Sequence, residues 1–232
     1  MSKPIIAVLT GAGISAESGI KTFRDADGLW EGYDVMDVAS PIGWAKDQEL
    51  VLDFYNQRRK QLLEVEPNAA HQDLVKLEDR FETHIITQNV DDLHERGGSK
   101  NIVHLHGQLL KVRSIGDPRL VYDWKKDLIT GDNCEKGYQL RPHIVWFGEA
   151  VPELERAAEI VSAANIVLII GTSMQVYPAA GLVDFALPGA AIYYVDPKPS
   201  INWELSTRSN LKVIEEKAST GVRKVVLEIL RK

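Results

Sequence analysis

Polar residues gather at the ends of apolar runs in this chain. Gln88-Asn89-Val90-Asp91-Asp92-Leu93-His94 follows THIIT, His104-Leu105-His106-Gly107 follows NIV, Gly171-Thr172-Ser173 follows IVLII, and Asp196 follows AIYYV. Thr10-Gly11-Ala12-Gly13 follows IIAVL. Apolar runs without alternation are read as parallel strands covered on both faces. An open sheet of such strands binds ligands at their C-terminal ends. Any one cluster could be a helix cap, a task that suits Asp91 or Asp92. Four clusters converging on one edge, beside the GAG turn, are instead read as a shared ligand site.

Each cluster suggests a task. His104 and His106 alternate along a strand and face opposite sides, so only one can enter the cleft. His106, nearer the strand end and followed by Gly107, is the candidate general base, because an imidazole with a pKa of about 6.5 suits that work at neutral pH. His71, His84, His94 and His143 are read as structural histidines. Asn89 and Asp91 share a side if extended and could hold a sugar or a water. Gly11 and Gly13 allow a tight turn and a close backbone approach to a ligand. Ser15 or Ser18 could then cap a short helix whose free N–H groups favour an anion. The turn alone reads equally well as a plain structural turn. Its GAGxS spacing is not G-x-G-x-x-G, and no obvious acidic residue stands directly at the end of the next apolar strand to grip a ribose, which disfavours a hydride-transferring dehydrogenase. No HExxH and no paired Cys/His spacing supports metal catalysis.

Tyr55 and Arg58 stand at i, i+3 in QELVLDFYNQRRKQLLE, a helix expected over 48–64 and stopped before Pro67. A phenol beside a guanidinium makes a carboxylate receptor. Arg59 and Lys60 follow directly, so spacing alone favours a solvated face.

The elements that must position these residues alternate. Strands are expected at 83–89, 101–107, 165–173, 191–197 and 211–216, besides the first. Helices are expected at 69–80 (Ala70, Leu74, Leu77 inward), at 153–164 (Leu154, Ala157, Ala158, Val161, Ala164) and at the C-terminus (Val222, Val225, Val226, Ile229, Leu230). The pattern predicts an α/β fold, a Rossmann-like doubly wound parallel sheet. Residues 25–68, with no strand candidate, and the turn-rich 111–147 interrupt it. They are read as two inserts forming a smaller lobe, leaving 1–24, 69–110 and 148–232 as the dinucleotide-type domain, with a cleft between.

Composition sets outer bounds. The chain has 232 residues, 44% of them apolar, and 27 Lys+Arg against 33 Asp+Glu for a net charge of −6. Its mean hydropathy is −0.16. These values fit an ordinary globular protein and argue against a general nucleic-acid surface. MSKPIIAVLTG lacks the long apolar core of a signal peptide, and no apolar run reaches the length of a membrane span. The expectation is a cytoplasmic protein, a monomer or weak oligomer, with no nucleic-acid or membrane partner.

Taken together, GAGIS (11–15), ESGI then FR (17–24), TQNVDDLH (87–94), HLHG (104–107), HIVWFGE (143–149), GTSMQVYPAA (171–180) and the Asp196 strand end resemble the sirtuins, the NAD-dependent protein lysine deacylases. The likeness runs over roughly residues 5 to 230. It is similar in particular to the bacterial class with desuccinylase and demalonylase activity, whose acyl pocket carries a Tyr-x-x-Arg pair and a small alanine. Tyr55, Arg58 and Ala39 match these, against the solvated-face reading.

The resemblance implies that NAD is a co-substrate. Gly11, Ala12, Gly13 and Ser15 would hold its diphosphate, with Glu17 among the contacting residues. Phe23 and Arg24 would border the reacting ribose and nicotinamide, and Gln88, Asn89 and Asp91 would line that pocket. Gly171, Thr172, Ser173, Asp196 and Ala218 would hold the adenosine half. An acyl-lysine protein or peptide would lie between Val145, Phe147, Gly148 and Glu149 on one side and Val176 on the other, pairing by its backbone. The acyl oxygen would attack the ribose as nicotinamide leaves, with His106, Asn89 and Asp91 catalytic, and products would be lysine, nicotinamide and an acyl-ADP-ribose. The intact Asn89, Asp91 and His106 argue against a non-catalytic NAD or ADP-ribose sensor. Mono-ADP-ribosyl transfer to protein shares the first bond cleavage and stays as an alternative.

Two departures stand out. Sirtuins commonly bind a structural zinc through four cysteines in the second insert. Here the insert is zinc-ribbon-like without its ligands: Cys134 is the chain's only cysteine and Ser114 stands near the place of the first. One thiolate cannot make such a site, so no zinc is expected, and the lobe should be held by packing around Leu120, Tyr122 and Trp124. Asp196 also stands where relatives often have asparagine.

Overall fold

The computed structural model describes residues 3–21 and 29–232. From the N-terminus, β1 (Ile5–Thr10) leads to a short hairpin, β2 (Leu29–Trp30) and β3 (Tyr33–Asp34), then to α1 (Val35–Val38), α2 (Pro41–Lys46), α3 (Gln48–Glu64) and α4 (Ala69–Val75). Next come β4 (Glu82–Thr87), α5 (Leu93–Gly97), β5 (Ile102–His104), β6 (Gly107–Ser114), β7 (Val121–Asp123) and β8 (Leu140–Ile144). The chain closes with α6 (Leu154–Ala163), β9 (Ile166–Ile170), β10 (Ala191–Val195), α7 (Trp203–Ser206), β11 (Leu211–Ile214) and α8 (Ala218–Arg231).

Six strands form one sheet in the order β11-β10-β9-β1-β4-β5, all parallel. Residues alternate between its two faces, and both faces are apolar. Ala7, Leu9, Ile86, Val167 and Ile169 pack under α6, the 3-10 turn at Ala179–Phe185 and Leu205 of α7. Ile6, Val8, Ile85, Leu168 and Ile170 pack under α4 and α8. The α8 stripe buries Val222, Val225, Val226 and Ile229, and Leu230 stays at its rim. The chain is therefore α/β with a doubly covered parallel sheet, as its run pattern requires.

A second, antiparallel sheet has the order β7-β6-β8. It starts at Gly107, within the span assigned to the larger domain, and ends at Ile144. The expectation of no strand in 25–68 also needs correction, since β2 and β3 pair there. Each contributes only two residues, too few for a period to register. Helix α3 has the bounds expected: Asp47 caps it by accepting from the Leu50 N–H at 2.9 Å. Its inner face joins Phe54, Tyr55 and Leu62 to Leu93, Leu109, Ile144 and Trp146. The centre of the small lobe is Leu52, Val112, Leu128, Cys134 and Leu140; Leu120, Tyr122 and Trp124 flank it rather than form it.

Zinc does not fit this lobe. The buried Cys134 Sγ donates to Ser114 Oγ at 3.3 Å. Among the described residues no three His, Cys, Asp or Glu side chains are grouped to hold a metal ion. No helix among them is long and apolar enough to cross a membrane.

Candidate active site

The turns after β1 and β9 interlock. Gly11 N–H donates to Ile170 O at 3.0 Å and Gly13 N–H to Gly171 O at 2.8 Å. A Cβ on Gly13 would lie 2.6 Å from Gly171 Cα, and one on Gly171, at φ +61°, would lie 2.3 Å from Ile14 N. The close approach that these glycines permit is thus of one strand-end turn to another, where the sequence reading placed a ligand.

Residues Ala12–Ile14 and Ala16–Ser18 form single 3-10 turns, and neither serine caps them through its side chain. Ser15 Oγ instead donates to Asp91 Oδ2 at 2.9 Å and accepts from Asn89 Nδ2 at 3.1 Å. Asn89 Nδ2 also reaches Gly11 O at 3.2 Å. Asp91 Oδ1 accepts from Leu93 N–H at 3.2 Å. Burial pushes the Asp91 carboxyl up to about 6, against the pull of these bonds. Ser18 Oγ accepts from Asn68 Nδ2, which also donates to Ile14 O. Asn68 caps α4 in a box with His71, so one residue clamps the GAGIS turn to a helix start.

His106 Nδ1 lies 3.0 Å from Gln88 O. A carbonyl only accepts, so in the neutral ring Nδ1 carries the proton and Nε2 keeps its lone pair. Burial lowers the His106 pKa. Gln88 Nε2 in turn donates to Thr172 Oγ1 at 3.1 Å, which joins the β4 and β9 ends. His104 faces the other way and pairs with Glu95 at 2.6 Å. His71 accepts from Asn68 N–H, His94 meets Thr10 Oγ1, and His84 meets Glu82, as structural histidines do.

Asp196, buried at the end of β10, accepts from Lys198 N–H at 2.8 Å. Ala218 opens α8. Glu17, expected at the dinucleotide, has its two oxygens taken by the Ser219 N–H at 2.9 Å and hydroxyl at 2.8 Å, which ties the GAGIS turn to α8. Ser173 and Val176 lie partly exposed after β9. Phe23 and Arg24 lie outside the described residues.

On the small-lobe side, Val145 N–H donates to His106 O and Phe147 N–H to Ala39 O, both at 2.9 Å. The first bond ties the 145–149 loop to the turn between β5 and β6 that carries His106, which lies in that turn rather than in the strand expected over 101–107, and the second ties the loop to the residue that ends α1. Gly148 sits at φ +90°, which favours glycine. Glu149 turns inward between Arg113 and Arg141, with Arg141 bidentate at 2.8 and 2.9 Å, and accepts from Trp146 N–H at 2.8 Å. Tyr55 is fully buried and its hydroxyl accepts from Trp146 Nε1 at 3.0 Å. Burial raises its pKa strongly, so it stays a phenol. Arg58 Nε and Nη1 are buried and have no hydrogen-bond partner among the described residues; the guanidinium carbon lies 4.8 Å from the Phe54 ring centre. Sequence reasoning missed Asn68, Arg113, Arg141 and the Trp146 contact. Asn68 was legible as a helix cap; Arg113 and the Trp146 contact act across long separations that no local spacing records, and Arg141 meets Glu149 only through the turn that follows β8.

A parallel sheet with a base, an amide and a carboxyl gathered on its C-terminal edge, facing a small lobe, defines an α/β protein built around a ligand cleft. The Sir2 family profile matches residues 11–178. A protein of Helicobacter pylori named NAD-dependent protein deacylase is 64% identical over 193 residues, 83% of this chain and 84% of its own length. One of the same name from Bacteroides thetaiotaomicron is 53% identical over 226 residues, 95% of each. A solved Sir2 homologue variant in complex with ADP-ribose superposes with a TM-score of 0.88 at 37% identity, over 99% of this chain and 93% of the other. The chain belongs to the Sir2 family.

Proposed function

We propose that this chain is an NAD-dependent protein lysine deacylase that accepts succinyl- and malonyl-lysine as well as acetyl-lysine. The observation that carries deacylation is His106, whose Nδ1 is held by the Gln88 carbonyl so that Nε2 is the basic atom. The donor set on the same edge fits a dinucleotide: two glycine-rich turns, the Ser15 and Thr172 hydroxyls, and the buried carboxyls of Asp91 and Asp196. When bound, NAD would supply the ribose carbon that the acyl oxygen attacks, its bond to nicotinamide breaking as the new bond forms. His106 takes a proton from a ribose hydroxyl, and Asn89 and Asp91, fixed through Ser15, orient the sugar. The interlocked turns after β1 and β9 hold the diphosphate, and Asp196 accepts from the adenosine ribose. The peptide lies along the 145–149 loop. The reading includes a cytoplasmic monomer or weak oligomer.

The acidic acyl preference rests on Arg58. A guanidinium with two buried nitrogens that have no hydrogen-bond partner among the described residues calls for an anion, and Tyr55 stands one helical turn away. Mass spectrometry of acetyl-, succinyl- and malonyl-lysine peptides incubated with NAD tests both parts. Wild type should release lysine and acyl-ADP-ribose, and His106→Ala should not. Arg58→Met should lose desuccinylation and demalonylation by about 100-fold while deacetylation stays within about threefold, since a hydrogen bond to a charged group contributes roughly 1.5–3 kcal/mol. Equal losses would remove the carboxylate role of Arg58.

A further inference from the structure

A phenol has one hydrogen to donate and two lone pairs. An indole N–H only donates. The 3.0 Å contact between Trp146 Nε1 and Tyr55 Oη therefore has one sense: Trp146 donates and Tyr55 accepts. The Tyr55 hydrogen must point elsewhere, and no acceptor for it occurs among the described residues.

The Trp146 ring is not free to turn away. Its exposure is 2%. The Arg141 guanidinium carbon lies 3.4 Å from its ring centre, the Trp44 ring 5.7 Å away and the Tyr55 ring 6.5 Å away. Its backbone N–H is held by Glu149 Oε2 at 2.8 Å, and Glu149 is clamped by Arg113 and Arg141. A salt-bridged loop thus aims one indole N–H at one phenol.

We propose that Trp146 is a specificity-determining positioning residue, which by donating to Tyr55 fixes that hydroxyl as a donor for the carboxylate of an acidic acyl group. Trp146 does not touch the acyl chain in this scheme; it acts through Tyr55. Without the indole N–H, the Tyr55 hydroxyl can rotate to present a lone pair, which repels a carboxylate. The proposal rests on the acidic-acyl reading of Tyr55 and Arg58 and adds what sets the polarity of that pair.

The experiment is a double-mutant cycle on succinyl-, malonyl- and acetyl-lysine peptides at saturating NAD. Trp146→Phe keeps an aromatic face for Arg141 and removes the donor. It should lower the ratio of kcat/KM for the two acidic acyl groups to that for acetyl about tenfold, mainly through KM. Tyr55→Phe should show the same selectivity with a larger loss. The double variant should be no worse than Tyr55→Phe alone, because Trp146 then has nothing to orient. If Trp146→Phe folds poorly, replacing the indole with benzothiophene, its isostere without N–H, reads the same difference. Equal losses on acetyl and succinyl peptides, or losses that multiply in the double variant, would overturn the proposal. Arg58→Met separates the two levels. A selective Arg58→Met with an unselective Trp146→Phe defeats this proposal alone. An unselective Arg58→Met, or a wild type inactive on acidic acyl groups, defeats both.

Discussion

Asp91 accepts the Ser15 hydroxyl at 2.9 Å in a place where the carboxyl is only 6% exposed. The pair joins the β1 turn to the QNVDD loop. It also stores a charge that burial opposes.

Burial holds the Asp91 pKa at about 6, above the roughly 3.9 of an unfolded aspartate. The folded state therefore binds this proton more tightly. The stability it contributes is fully present below about pH 4 and is lost as pH rises through about 6, a cost on the order of 3 kcal/mol at neutral pH. Asp91→Asn removes the charge but turns one accepting oxygen into a donor. It should gain about 2 kcal/mol at pH 7.5, a Tm rise of several degrees, and little at pH 4. Thermal melts at the two pH values decide it. An equal gain at both would show that charge is not the cost. Nicotinamide release should fall in the same variant.

As the proposed general base, His106 works in its neutral form, so activity should exist above its pKa and be lost as pH falls through it. Burial lowers that pKa, so the acid limb of kcat/KM should lie below the ordinary imidazole value of about 6.5. His106→Ala should reduce kcat by about 10³, within the usual span for a general base. A wild-type limb above neutral pH would contradict burial as the controlling influence.

Much of this was legible along the chain. The end of helix α3 could be placed because Pro67 follows a continuous helical run, whereas the Asp47 cap at its start emerged with the fold. The candidate site could be drawn because polar residues follow apolar runs, and sheet topology brings those ends together. What could not be read depends on contacts between distant residues. Gly13 meets Gly171 only because β1 and β9 are neighbours. Trp146 meets Tyr55 only because α3 packs on the β6-β8 sheet. Glu17 was assigned to the ligand by its position in a motif, and only the fold reveals that Ser219 occupies it.

The interlock itself can be tested by adding one methyl group. Gly171→Ala combines φ +61° with a Cβ 2.3 Å from backbone Ile14 N, and backbone cannot move aside as a flexible side chain can. A left-handed alanine alone costs about 1–2 kcal/mol; with the clash the loss should exceed about 3 kcal/mol. At Gly189 a Cβ meets nothing within 4 Å, so Gly189→Ala should fall within about 0.5 kcal/mol of wild type. Urea midpoints of the two variants provide the comparison. Similar midpoints would mean that the turns have room to part.

The small lobe offers the last test. Its centre buries Leu128 fully, and α3 reaches it from the side: Asn56 Nδ2 donates to Leu128 O at 3.0 Å and Asn56 Oδ1 accepts from Leu128 N–H at 2.8 Å. Arg59 Nη1 donates to the same Asn56 oxygen at 2.7 Å, which orients the amide. With a single cysteine in the chain, packing and this latch are expected to do the work that a metal does in a zinc ribbon. Leu128→Ala should then cost about 2–5 kcal/mol, the range for a large-to-small change in a core. Incubation with a strong chelator should leave Tm unchanged, because no three ligating side chains are grouped among the described residues. Elemental analysis of the purified protein completes the case: one tightly bound zinc per chain, or a melt that collapses on chelation, would show that Cys134 recruits ligands which the fold as described keeps apart.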